Sequence, residues 1–223
     1  MFYKGKDTTP SFGTAEPCHY IIMAQKPITR LIEESIEKMG LQQHIQFTPE
    51  EKSFFEDNFE PFHLKKGNYL ITKDDPVNHV YYLEEGILNI CFPDSKGGFI
   101  NARFLDNKAF INPYFLHNPE HKARYSIKAN TNCRIWKMEK HHARKLSSDS
   151  SNFLRLCIFH LESSLLHRIE REERIHCMTA EQRYERVLDK EKWLFKHLPL
   201  KEIARYIGIT PQALSKARKK IFR

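Results

Sequence analysis

The chain has 223 residues, 40% hydrophobic and 29% charged, with 8 Gly and 11 Pro, a composition that excludes disordered, collagenous and fibrous classes. No apolar run approaches the roughly 18 residues of a membrane helix, and polar residues interrupt the N-terminus where a signal peptide is continuously apolar, so a soluble, cytoplasmic protein is expected. A net charge of +8 with 12 further His favours an anionic partner, and the length suits a domain of about 150 residues with a smaller companion.

Residues 1–27 show no sustained period and are expected to form a poorly ordered arm. The pattern begins only beyond Met23, which is therefore a candidate start. Ile28, Leu31, Ile32, Ser35, Ile36 and Met39 then recur at helical spacing and stop at Gly40, which suits a C-cap. Thr48-Pro49-Glu50-Glu51 announces a second helix, with Thr48 as cap, Pro49 in the first turn and Glu51 closing a capping box.

From Phe62 to Met138 short runs of aromatic and β-branched residues alternate with turn formers such as Lys66-Gly67-Asn68 and Glu84-Glu85-Gly86. Strands are predicted near Tyr69–Ile71, Val80–Leu83, Ile87–Phe92, Phe99–Phe104, Tyr125–Ala129 and Cys133–Met138. Many short strands with regular turns indicate an antiparallel sandwich or roll. The fold class is thus α+β, with the roll at residues 28–145 behind its leading helices.

Ser147 to Ile175 contains neither Gly nor Pro, which predicts a single long helix. Within it Leu154, Ile158, Leu161 and Leu165 alternate steps of four and three, the spacing of a coiled-coil seam, so residues 146–178 are read as a dimerisation helix. The competing reading packs the same stripe onto the preceding domain. The charge run from Glu170 to Arg174 reads as a solvated face. Thr179 to Gln182 is another capping box, opening the last domain, 179–223, before Pro199 interrupts the chain.

Lys201 to Phe222 reads as two helices joined by a tight turn, with Ile203, Ala204, Ile207, Ile209, Leu214, Ala217 and Ile221 as the apolar set. Gly208 supplies the left-handed conformation such a turn needs. Thr210 caps the second helix and Pro211 starts it. Pro211, Gln212, Ser215, Lys216 and Lys219 are left facing outward, as on a recognition helix set into a major groove. Gln212 suits an adenine edge and Lys216 a guanine edge or a phosphate, while Thr210, Arg205 and Lys201 suit backbone phosphates. Residues 199–223 hold seven Lys or Arg against one acidic residue, Glu202. This tenth of the chain therefore carries six of its eight net charges.

This order of parts resembles the CRP/FNR family of bacterial transcription regulators, over roughly Thr48 to Ile221. The stretches KKGNYLITKDDPVNHVYYLEEGILNICF (65–92) and LKEIARYIGITPQALSKARKKI (200–221) carry the resemblance. It implies a cyclic-nucleotide-binding-type roll, a homodimer and a C-terminal helix-turn-helix on a near-palindromic double-stranded operator. The family's base-contacting positions fall on Pro211, Gln212 and Lys216. Its nucleotide site falls near Asn112, Arg124 and Tyr125, where the family's Gly-Glu pair is absent from Ala109-Phe110-Ile111-Asn112-Pro113-Tyr114. A degenerate pocket follows, with an unknown effector or none.

Five cysteines at irregular spacing form neither a disulfide framework nor a Cys-x-x-Cys knuckle and are read as buried free thiols. Only Cys18 lies near the N-terminus, too few for an iron–sulfur cluster. His141-His142 and His176-Cys177 are better suited to surface and helix-end roles than to a metal. Cupin-type metalloenzymes need a His-x-His, which His63, His79, His117 and His121 do not supply, and no nucleophile elbow or phosphate loop is present. No cofactor, metal or catalytic role is therefore expected. A protein-interaction module is the other alternative.

Overall fold

The computed structural model describes residues 27–94, 98–111, 116 and 122–221; the expected arm at 1–26, Cys18 and Met23 lie outside them. Helix α1 (Ile28–Lys38) buries Ile28, Leu31, Ile32, Ser35 and Ile36 along one face, the stripe its spacing predicts. Helix α2 (Pro49–Asn58) starts in the expected capping box, in which Thr48 and Glu51 satisfy each other's backbone N–H groups.

Among the described residues eight strands follow: β1 (Glu60–Leu64), β2 (Tyr69–Ile71), β3 (His79–Glu85), β4 (Leu88–Pro93), β5 (Phe99–Leu105), β6 (Ala109–Ile111), β7 (Ser126–Ala129) and β8 (Cys133–Glu139). They make two antiparallel four-stranded sheets, ordered β1-β8-β3-β6 and β2-β7-β4-β5. Strands β1 and β6 carry no alternating signal of their own. The first holds Pro61 at a sheet edge, where a missing N–H is tolerated, and the second is three residues long.

Strand β3 reads as a continuous apolar run because both of its faces are covered. Tyr81 and Leu83 point into the roll with Ile127 and Ile135, whereas Val80 and Tyr82 point outward to the helices with Trp136 and Met138. The Tyr82 hydroxyl donates to Leu31 O at 2.8 Å and meets Ser35 Oγ at 2.5 Å, anchoring α1.

Gly86 turns β3 into β4 at φ +113°, and a Cβ there would lie 2.6 Å from Cys133 Sγ and 2.8 Å from Asn132 O. Backbone strain and overpacking together set the cost of Gly86→Ala at about 3 kcal/mol or more. A melting temperature lower by about 6–12 °C is expected. An unshifted melt would show that strand β8 does not approach this closely.

The long helix expected from Ser147 is instead two helices, α3 (Lys140–Asp149) and α4 (Ser151–Cys177). Ser150 breaks them with extended backbone (φ −121°, ψ 114°) while its hydroxyl caps α4 by accepting from Phe153 N at 2.9 Å. The signal lay in the run Ser147 to Asn152, made wholly of Ser, Asp and Asn, which compete with helix in its interior and favour caps. Helix α4 packs Phe153 and Leu156 on the roll and α2. Its opposite face leaves Leu154, Ile158, Leu161, Leu165, Leu166 and Ile169 between 40% and 62% exposed. The stripe therefore does not pack onto the preceding domain, and it runs one turn further than its predicted end.

Helices α5 (Ala180–Lys190), α6 (Leu194–His197), α7 (Leu200–Ile207) and α8 (Pro211–Ile221) complete the chain. Their core, built on Tyr184, Val187, Leu194, Ile203, Tyr206 and Leu214, also takes in Ile87 and Phe104 from the roll. No helix among the described residues is long and apolar enough to cross a membrane.

Candidate nucleic-acid interface

Ile203, Ala204 and Ile207 of α7 meet Leu214 and Ala217 of α8, all of them buried, with Ile209 and Ile221 packed at the edge. The turn between the helices has Gly208 at φ +70°, as its sequence position requires. Thr210 Oγ1 accepts from Ala213 N at 3.1 Å, capping α8. Arg183 of α5 holds this turn in place, donating to the carbonyls of Ile207 (3.3 Å), Gly208 (3.2 Å) and Ile175. Its role depends on backbone carbonyls from three elements, and no local sequence pattern marks it.

Thr210, Pro211, Gln212, Ser215, Lys216 and Lys219 are exposed, opposite Leu214 and Ala217. Together with the N-terminal end of α8 they make a polar, cationic face at the positive end of a helix dipole. Lys201, in the first turn of α7, is exposed as well. Arg205 is exposed too, but its guanidinium is engaged at 2.9 Å by Glu202, so its charge is partly compensated. Lys220 turns toward Glu181 of α5 at 3.7 Å.

Three residues are expected at the nucleotide site. Asn112 lies outside the described residues, Arg124 is exposed to solvent, and Tyr125 is 7% exposed, its ring in the roll core and against Phe92. Leu64, Ile71, Leu83, Leu88, Ile127 and Ile135 fill the space between the sheets with hydrocarbon. A desolvated phosphate finds no hydrogen-bonding compensation from those side chains.

Among the thiols, Cys91 and Cys133 are buried and held above the ordinary range chiefly by burial. Burial pushes Cys157 up to about 12. Cys177, expected to be buried, is exposed at the end of α4. His141 pairs with Glu139 and His142 with Asn58, and among the described residues no group of three or more His, Cys, Asp or Glu is placed to hold a metal.

The head is attached to the roll by contacts between residues distant in sequence. Asn101 of β5 donates to Glu202 of α7 at 2.8 Å and accepts from Asn89 at 2.8 Å. Phe104 meets the Tyr206 ring edge-on at 5.3 Å. The Tyr206 hydroxyl donates to Glu191 at 2.7 Å, and Arg174 lies over the same ring at 4.5 Å while pairing with Glu191 at 3.3 Å. Burial raises the Tyr206 phenol to about 12. Arg174 thus departs from the solvated face expected of its charge run, being 4% exposed.

Residues 61–150 match the family model of the cyclic nucleotide-binding domain. FixK2 from Bradyrhizobium japonicum is similar in structure at a TM-score of 0.64 and 15% identity, covering 74% of this chain and 84% of its own. The c-di-GMP-responsive global regulator CLP of Xanthomonas campestris gives 0.65 and 16%, covering 76% and 89%. A CRP-family transcriptional regulator from Thermus thermophilus gives 0.58 and 17%, covering 73% and 84%. No curated protein matches the sequence. The chain therefore carries a cyclic nucleotide-binding-type roll joined to a C-terminal helical head. Its architecture is that of the CRP/FNR transcription regulators, as the two quoted stretches of sequence imply.

Proposed function

We propose that the chain is a cytoplasmic, homodimeric, sequence-specific DNA-binding transcription regulator, without enzymatic activity, that reads a near-palindromic operator. The observation that carries this is the exposed face of α8, with Gln212, Ser215, Lys216 and Lys219 presented beyond a capped helix N-terminus on a rigid apolar hairpin. Two copies joined along the exposed seam of α4 place their α8 helices in successive major grooves, about 34 Å apart. The relatives' architecture supports the same reading.

Titrating the protein onto DNA at several salt concentrations tests it. Affinity should fall steeply with salt, through release of counterions from the phosphates. Salt-independent binding, or no shift with any DNA, would favour a protein-interaction module instead. Lys216→Ala should cost about 1–3 kcal/mol on the operator and relax its sequence preference, while Lys219→Ala should weaken all sequences alike and reduce the salt slope by about one. Fluorescence anisotropy on operator and scrambled duplexes distinguishes the two. If both variants lose affinity equally on both duplexes, Lys216 reads no base.

The apolar filling of the roll and the missing Gly-Glu pair favour an effector other than cyclic AMP, or none. Calorimetry is expected to detect little or no cyclic AMP binding. A low-micromolar dissociation constant would refute this.

A further inference from the structure

Helices α4 and α7 both end against the guanidinium of Arg183. Its Nε donates to Met178 O at 3.0 Å and its Nη2 to Ile175 O, the C-cap and a last-turn carbonyl of α4. Its Nη1 donates to Ile207 O at 3.3 Å and to Gly208 O at 3.2 Å, the last residue and the C-cap of α7. Carbonyls at a helix C-terminus have no partner within their own helix, and each such end carries the negative pole of a dipole. One planar cation thus caps two helices at once, through donors whose geometry is fixed by the guanidinium fork.

The two helices so joined lead to the two surfaces on which DNA binding depends. Helix α4 presents the exposed apolar seam from Leu154 to Leu165, and α7 passes through Gly208 into α8. Between α4 and α5 the chain crosses extended backbone at Met178, with φ −112° and ψ 144°, which lacks the stiffness of a continuous helix. Two further arginines span this junction. Arg186 of α5 meets Glu170 and Glu173 of α4 at 3.6 Å each, and Arg174 of α4 meets Glu191 at 3.3 Å, so they tie α4 to α5 and its C-cap. Arg183 reaches further, to the turn before α8, where a Cβ on Gly208 would lie 3.4 Å from its Nη1.

We infer that Arg183 is a positioning residue that fixes the angle of α8 against α4 and thereby sets which separation of two DNA half-sites the dimer accepts. The inference rests on the dimeric, DNA-binding reading. One base pair inserted between half-sites moves them about 3.4 Å apart and rotates one against the other by about 34°. A rigid junction cannot follow that displacement on both half-sites at once, whereas a loosened junction can.

The test uses the full chain with duplexes that the wild type selects from a random-sequence pool. The same duplexes are then made with one central base pair added or removed, and with a single half-site. The wild type should bind the altered spacings at least about tenfold more weakly, because simultaneous engagement is lost. Arg183→Met should bring that ratio below about threefold and weaken binding to the selected duplex about tenfold, through lost preorganisation. Arg183→Lys keeps the charge without the fork; it should behave in the same way and carries the test if the Met variant does not fold. Both variants should sediment as the wild type does and bind the single half-site within about twofold of it, since that contact needs no second head. Wild-type indifference to spacing, full discrimination retained in the variants, or half-site binding lost in proportion to operator binding would each overturn the inference. Failure of the wild type to select any duplex would overturn the DNA-binding reading, and this inference with it.

Discussion

Replacing Leu161 and Leu165 together by Arg is expected to convert the protein from dimer to monomer and to weaken operator binding by at least a hundredfold. These side chains are 41% and 59% exposed in the single chain, so they contribute little to its own core. Across a paired seam each would bury apolar surface worth about 1–2 kcal/mol, a gain the substitution replaces by like-charge repulsion at the centre of the interface. Losing the second head removes the effective concentration that linkage provides, an effect of about 10²–10⁴. Sedimentation equilibrium and operator gel shifts measure the two halves of the prediction, and the melting temperature of the dilute chain should barely move. A variant that remains dimeric would place the dimer contact elsewhere.

Acidification should destabilise the fold through the opposite face of the same helix. His160 and His167 are held down from 6.5 to about 4, first by burial and then by Arg103, with Arg174 and Arg171 adding to the effect on His167. Between pH 6.5 and 4 the unfolded chain takes up protons that the folded chain refuses. Stability is therefore full above about pH 6.5, falls as the pH drops, and levels off below about 4, by about 3 kcal/mol for each histidine. Denaturant unfolding at pH 7 and 4.5 measures the difference. His167→Leu should remove about half of it while leaving stability at pH 7 unchanged or higher, since it eliminates an unpartnered polar atom. An unaltered pH slope in His167→Leu would show that other groups control acid unfolding.

The hairpin of α7 and α8 is legible in the amino-acid sequence because its signals are local. Gly208 needs a left-handed backbone, Thr210 caps, Pro211 starts a helix, and the apolar spacing buries one face, all within residues 200–221. The roll is legible for the same reason wherever turn formers punctuate apolar runs, and it is hidden at β1 and β6, whose pairing is decided by their neighbours. The break at Ser150 is marked by six cap-forming residues in succession, yet a stretch without Gly or Pro has the outward pattern of one uninterrupted helix.

The two faces of α4 show the limit of local patterns. Leu154, Ile158, Leu161 and Leu165 have an apolar period that stands out in the sequence. A second stripe, from His160 to Arg174, has the same period, but polar residues with that spacing read as a solvated surface. Only the approach of β5 and α7, from residues 70 or so earlier and 30 or so later in the chain, encloses it. By itself the sequence determined helices α1, α2, α5, α7 and α8, the capping boxes of α2 and α5, the turn before α8 and the cationic face of that helix, since each follows from backbone preferences and neighbours a few residues apart. The tertiary structure alone decided that Arg174 is buried, that Asn101 and Phe104 anchor the head, and that Tyr125 belongs to the roll core. These depend on which distant surfaces exclude water from a side chain, and no local pattern encodes that.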